Sequence, residues 1–437
     1  MLVPGTDTIV RALQARACGG KLSTNISVPY FIQSCFRFGA LKAIRMNHDR
    51  IEFANSLRGF AALAVACGHL IGLFWLFPRT VSVFTGTPEM VPILPDPMLS
   101  HIVLWPVNLG VLGVAIFFLI SGMVIPISLS KSSWLRFLAA RVMRLFPTYA
   151  ACFTIVLCAI WLGTWYFHVP WPLQTRDIIF HFVPGLRALA GTRHIDSVVW
   201  TLEVELCFYV VCAMAVSLFR RNSLFIFAIP IILAVAASAQ SFFPPLFIIS
   251  IAPYLTFMFV GVAFFFLHTR RISALQAITI FGIVVASTIV AWVSVLGLNY
   301  LFDIGRSYLV GLFVFTFCYR FPGLVPHGRF VRFMANISYP FYLVHAVPGY
   351  ALMRIIANDA GMPRTFAILS AFALAISIAA VIHYAIEIPT RRLSGRIQTD
   401  GHSAKIMAGS PPIISSKASA VGSLAKMSVR VFQRSCV

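Results

Sequence analysis

Charge is what this sequence has least of, and negative charge is the scarcer sign. Asp, Glu, Lys and Arg make up 11% of its 437 residues, against about 25% in an average soluble domain. Thirteen acids stand against 34 bases, and the mean hydropathy is +0.88. A soluble, water-facing surface is excluded on that balance. The nine cysteines show no CxxC spacing and lie mostly inside apolar segments, which suggests neither a disulfide framework nor a zinc site. Ser121 is not set in a GxSxG elbow, so a hydrolase triad has no support. No internal repeat is evident, which argues against an inverted-repeat transporter. No cleavable leader is visible either, because the first long apolar run begins only at Ser56 and is too long for one.

What the chain has in quantity is apolar runs of about twenty residues, each long enough as a helix to cross the roughly 30 Å hydrocarbon core of a bilayer. Ten are expected, at 56–77, 104–128, 148–168, 199–219, 223–243, 246–267, 274–297, 302–319, 336–356 and 364–386. The fold class predicted is an all-α polytopic transmembrane helical bundle. Its inner loops carry Lys131, Arg136, Arg141, Arg144, Arg220, Arg221, Arg270, Arg271, Arg320, Arg329 and Arg332, and its outer loops more of the acids, so both termini are expected to be cytosolic. The net charge of +21 is read as topology signals and phospholipid contacts rather than nucleic-acid binding. Three parts are expected: a tail at 1–50, either disordered or a misplaced start ahead of Met46, a transmembrane core at 51–393, and a disordered basic tail at 394–437. Two outer loops, 78–100 and 169–198, are long enough to border an access path.

Polar residues inside apolar runs are costly unless they face a partner or a wet cavity, and so mark candidate sites. His69 stands in the middle of the first run, eleven residues or about three helical turns after Arg58. In the second run Gly110, Gly113, Ser121 and Gly122 form a small-residue stripe suited to tight helix packing. Arg141 and Arg144 are neighbours on one helical face at the inner boundary, where two guanidinium forks can hold a phosphorylated ligand. In the fourth run Thr201, Glu205 and Tyr209 stack on one face while Glu203 points nearly opposite. Counting residues from the boundaries puts His69 and Glu205 at similar depth, so Glu205 is expected to hydrogen-bond and orient the imidazole. In the ninth run Ser338, Tyr342 and His345 follow i, i+4, i+7 spacing, with Pro340 in the first turn. Glu387 is expected to pair with Arg391 or Arg392. No metal site is expected.

Six segments, in order, resemble the acyltransferase-3 family of membrane O-acyltransferases. They are Arg58 with ten residues before His69, GVAIFFLISGM (113–123), RVMRLFP (141–147), WTLEVELCFY (200–209), SYPFYLVH (338–345) and EIP (387–389). Two positions depart from the pattern: Asn55-Ser56 stands where many members have Asp-Gly, and Met123 where an aromatic is common. The resemblance implies a ten-span core in the inner (plasma) membrane and a cytosolic acyl-CoA co-substrate, acetyl-CoA being commonest, with no permanently bound cofactor. It implies transfer to a hydroxyl of a cell-surface or lipid-linked glycan or a glycosylated small molecule. His69 takes the place of the essential histidine, with Arg58 as its motif partner and Glu205 as the acid of the fourth-run motif. Arg58, Arg141 and Arg144 are then donor-binding, and Ser121, Trp200, Tyr209, Ser338, Tyr342 and His345 line the pocket. The competing expectation is a transporter or flippase for a glycolipid or proton-coupled solute, since intramembrane His and Glu also suit proton relays.

Overall fold

In the computed structural model the described residues are 52–90, 106–129, 132–242 and 246–397. The expected tails therefore lie outside them, except for 394–397, which continue the last helix, and so do residues 91–100 of the first outer loop, whose described part opens with a short helix, Pro78–Thr85. The chain separates into two units, Met1–Phe53 and Ala54–Val437, and the second holds the helical body. Among the described residues every regular element is helical. The main helices are α1 (Glu52–Leu76), α2 (Leu109–Leu129), α3 (Trp134–Tyr166), α4 (Val199–Met214), α5 (Leu224–Ser238), α6 (Ala252–His268), α7 (Ala274–Leu296), α8 (Leu298–Arg320), α9 (Arg329–Val344), α10 (Val347–Met353) and α11 (Arg364–Ile397).

Six of these, α1, α2, α3, α7, α8 and α11, are long and apolar enough to cross a membrane. The other expected spans are shorter helices, and local chemistry explains two of the interruptions. The run at 199–219 breaks at Ala215, where ψ moves to 12° and a separate turn, Val216–Arg220, begins. The run at 336–356 breaks after Val344 because Pro348 sits in the first turn of the next helix, where its missing N–H costs nothing. That ninth helix also starts earlier than expected, at Arg329, so Pro340 lies in its interior rather than its first turn. The third expected span is only the second half of a 33-residue helix that carries Arg136, Arg141 and Arg144 on its first half.

The apolar helices sort by what surrounds them. Helix α6 is buried along nearly its whole length and serves as core, as a helix apolar on all sides must. Helices α7, α8 and α11 leave large apolar side chains such as Leu275, Leu309 and Leu369 exposed. Those faces would be an aggregation liability in water and are ordinary in lipid. The small-residue stripe of α2 packs as its composition predicts. A Cβ on Gly113 would meet the Ala61 carbonyl oxygen at 2.4 Å, and one on Gly122 would meet the Met258 carbonyl oxygen at 2.0 Å. Neither helix could come so close with any other residue there. Helix α2 thus joins α6 and α8 on one side, α9 and α10 pack on α11 and α3 on the other, and α1 and α4 lie along the seam.

Candidate active site

His69 sits on a local widening of α1. Residues Gly68–Leu73 form a π-helical turn, a rare conformation found mostly at functional positions. Its neighbour Gly68 lets α1 touch the start of α2, where a Cβ would meet the Gly110 backbone nitrogen at 2.6 Å. The His69 Nδ1 is 2.9 Å from the Tyr350 hydroxyl, and its Nε2 has no partner among the described residues. The ring of His345 stands edge-on at 5.0 Å between centroids. His345 is fully buried; its Nδ1 is 2.8 Å from the Tyr342 carbonyl, which can only accept, so Nδ1 carries the proton. Its Nε2 is a buried lone pair without a partner. His69 lines a cavity of 200 Å³ with Asn108, Ser197, Trp200, Tyr254, Tyr300 and Tyr308, and among the described residues none that is charged contributes to its wall. Asn108 is held there by its own helix start, its Oδ1 accepting from the Val111 N–H at 3.1 Å.

A second cavity, of 60 Å³, is lined by Arg58, Ser121, Glu205, Ser338 and Tyr339. Glu205 Oε1 accepts from Ser121 at 2.8 Å and from Tyr209 at 2.5 Å. Arg141 stacks over the rings of Phe137 and Tyr209, its guanidinium 5.3 Å from each centroid. Arg58, Arg141 and Arg144 all lie within electrostatic reach of one another or of Glu205 and Tyr209. Arg58 and Arg141 thus stand within electrostatic reach of Glu205, and Arg144 within reach of both arginines. Such an array, with a net excess of positive charge, is chemically suited to phosphate oxygens.

The two cavities share two side chains, Val114 and Tyr342. The Tyr342 hydroxyl lies 2.7 Å from that of Thr201, tying α9 to α4 at the constriction. The expected polar stripe on α9 is thereby divided: Ser338 lines the arginine cavity, Tyr342 stands between the two, and His345 lies against His69. The Ser338 hydroxyl proton goes to the Ala335 carbonyl at 2.8 Å, which leaves it no proton to donate into the cavity. Trp200 lies in the wall of the His69 cavity, its ring 5.0 Å from that of Tyr254.

One expected contact is corrected. His69 and Glu205 do not share a level: Glu205 lines the cavity of Arg58, about 16 Å along α1 from His69 at 1.5 Å per residue. Counting depth from apolar boundaries failed because it orders residues along one helix and does not fix the level of that helix against another. The partner of His69 is Tyr350, which the sequence reading passed over; it lies beyond the break at Val344, where helical spacing from the SYPFYLVH stripe no longer applies. Glu387 likewise pairs not with an arginine but with His383 at 2.7 Å, both buried. The i, i+4 spacing on α11 was the available signal.

The connection 169–198 is folded rather than an open loop, with short helices at Thr175–His181 and Leu186–Ala190. It is fastened to α4 by a buried ion pair in which Arg187 Nε donates to Glu203 Oε1 at 2.8 Å and its Nη2 to Oε2. The third arm of Arg187 donates to the Thr192 carbonyl at 3.1 Å. Glu203 and Glu205 thus do point apart, one to structure and one to the cavity. In the same connection burial raises the Asp196 carboxyl to about 7, although the Val198 N–H bonds it at 3.1 Å. Burial and the Arg187 charge lower His181 to about 3.

A half-buried imidazole in one cavity and arginines at the next, in a bundle with six helices long and apolar enough to cross a membrane, define an integral membrane protein with a polar interior suited to chemistry. The family comparison makes this specific: the acyltransferase-3 model, described as an acyltransferase domain, matches residues 51–384, so the chain belongs to that family and is a membrane acyltransferase. No curated protein and no solved structure matches it.

Proposed function

We propose that this protein is an O-acyltransferase of the inner (plasma) membrane. It moves an acyl group, acetyl by preference, from cytosolic acyl-CoA to a hydroxyl of a cell-surface or lipid-linked glycan or a glycosylated small molecule. The observation that carries this reading is His69, held through Nδ1 by Tyr350 with Nε2 left open in a cavity that touches the arginine cluster's cavity at Tyr342 and Val114.

In this account the end of the bundle bearing Arg58, Arg141 and Arg144 faces the cytosol, in accord with the excess of basic residues expected there. The three guanidinium groups bind the phosphates of acyl-CoA, and Glu205, held by Ser121 and Tyr209, keeps them apart and aimed. The thioester reaches past the Tyr342–Val114 constriction to His69. With Nδ1–H donated to Tyr350, the Nε2 lone pair accepts the proton of the acceptor hydroxyl as its oxygen attacks the thioester carbonyl. The C–S bond breaks, the ester forms, and the CoA thiolate recovers the proton from His69. Glu205 acts on the donor and Tyr350 orients the base, a division of roles that replaces the single His–Glu pair.

The test is free CoA release from acetyl-CoA by protein purified in detergent, with a pool of host glycans and lipids as acceptors and His69→Ala as control. His69-dependent release with a labelled glycan is expected. No release from any acyl-CoA by folded protein would contradict the reading and favour transport.

A further inference from the structure

A third cavity, of 530 Å³, lies between α7 and α8, and the proposed reaction does not use it. Its wall is mainly apolar, with Val285, Ile289, Leu309 and Leu312, and it carries two charged residues, Asp303 and Arg306. Asp303 and Leu312 are nine residues apart on α8, about 14 Å, so one end of the groove is charged and the other purely apolar. Ile289 and Leu309 are 44% and 64% exposed, and both belong to helices long and apolar enough to span a membrane, so the groove opens toward hydrocarbon. Its inner wall is Tyr308, buried and edge-on to Trp292 at 4.6 Å and to Phe257 at 4.8 Å. Tyr308 lines the His69 cavity as well. A membrane-facing groove and the His69 cavity therefore meet at one side chain.

We propose that this groove binds the hydrocarbon chain of a single-chain lipid phosphate that carries the acceptor sugar. The chain lies along Ile289, Leu309 and Leu312, the phosphate sits beside the Arg306 guanidinium, and Asp303 accepts hydrogen bonds from sugar hydroxyls. The sugar then passes Tyr308 to reach His69, so the acceptor comes sideways from the bilayer while the donor comes from the arginine end. The assignment rests on the transferase reading for the word acceptor, but the groove's occupancy by a lipid does not.

The experiment uses the full-length protein in nanodiscs and a diazirine-tagged prenyl phosphate, with crosslinked peptides mapped by mass spectrometry. It needs neither acyl-CoA nor turnover, so its failure is distinct from failure of the transferase assay. Adducts are expected to concentrate on 285–312, to be suppressed by unlabelled prenyl phosphate and to resist phosphatidylcholine. Leu309→Trp, which fills the mouth from an exposed position, should lower labelling roughly tenfold, the change that losing about two buried methylenes gives. Ile289→Trp on the facing wall provides the same test if the first variant misfolds, and the wild-type map stands without either. Adducts spread evenly over the exposed helices, or equal suppression by phosphatidylcholine, would show annular lipid and overturn the proposal. A labelled groove in a protein that releases no CoA would overturn the acceptor role.

Discussion

The two cavities along α1 are built from opposite chemistry. The one at Arg58 is small, and charge of both signs gathers at it, with the carboxylate of Glu205 satisfied by two hydroxyl donors. The one at His69 is more than three times larger, walled by aromatic and small polar side chains, with no charged side chain among the described residues that line it. One of them gathers charged side chains, the other an imidazole among aromatic and small polar groups. A membrane enzyme that must draw a highly charged donor and an uncharged hydroxyl to one bond has reason to separate these tasks, because charges in low dielectric act strongly and at a distance.

The contrast is sharpest under substitution. His69→Ala removes the proposed base, and kcat for CoA release should fall by about 10² to 10⁴, the usual worth of a positioned general base. A smaller loss would place the base elsewhere. Arg187→Ala tests charge that serves structure alone. It leaves Glu203 buried and unpaired, which should cost about 3–5 kcal/mol of stability, whereas replacing both partners with apolar residues of similar size should recover most of it. Thermal unfolding in detergent reads both variants.

Tyr350→Phe removes one hydroxyl from the His69 Nδ1 and should lower kcat about two- to tenfold with KM unchanged, matching a net hydrogen bond of roughly 0.5–1.5 kcal/mol. An effect on KM alone would show that Tyr350 only shapes the cavity. A further effect is in pH. Asp196, raised by burial to about 7, contributes stability that is full below pH 4 and lost as pH rises through 7. His181, lowered to about 3, contributes stability present above pH 6.5 and lost as pH falls toward 3. Between pH 6.5 and 4 the two oppose each other, so Asp196→Asn should make the melting temperature fall more steeply over that window than in the wild type. Parallel profiles would contradict the buried placement of Asp196.

The arginines, the histidine and the acid were legible in the sequence because each is a charged or titratable residue where apolar ones are the rule. The packing role of Gly110, Gly113 and Gly122 was legible for the same kind of reason, small residues on one face of an apolar helix. What sequence could not give is axial offset. Helical spacing orders residues along one helix, and the depth of His69 relative to Glu205 depends on how α1 sits along its neighbours; Gly59 and Gly68 set it against α9 and α2, where Ala335 and Gly110 come close. The Arg187–Glu203 pair stayed hidden because its members are sixteen positions apart, one in the connection and one on α4, so no helical spacing relates them. Tyr350 stayed hidden because a tyrosine in an apolar run reads as an interfacial or core aromatic until its hydroxyl is seen against an imidazole.

The most direct test of the division between the two cavities is calorimetric binding of CoA to two purified variants, His69→Ala and the double variant Arg141→Gln, Arg144→Gln. The account predicts an unchanged Kd for the first and, at about 1.5–3 kcal/mol for hydrogen bonds to charged groups, a Kd weakened at least tenfold for the second. Loss of CoA binding in His69→Ala with full binding in the double arginine variant would contradict it.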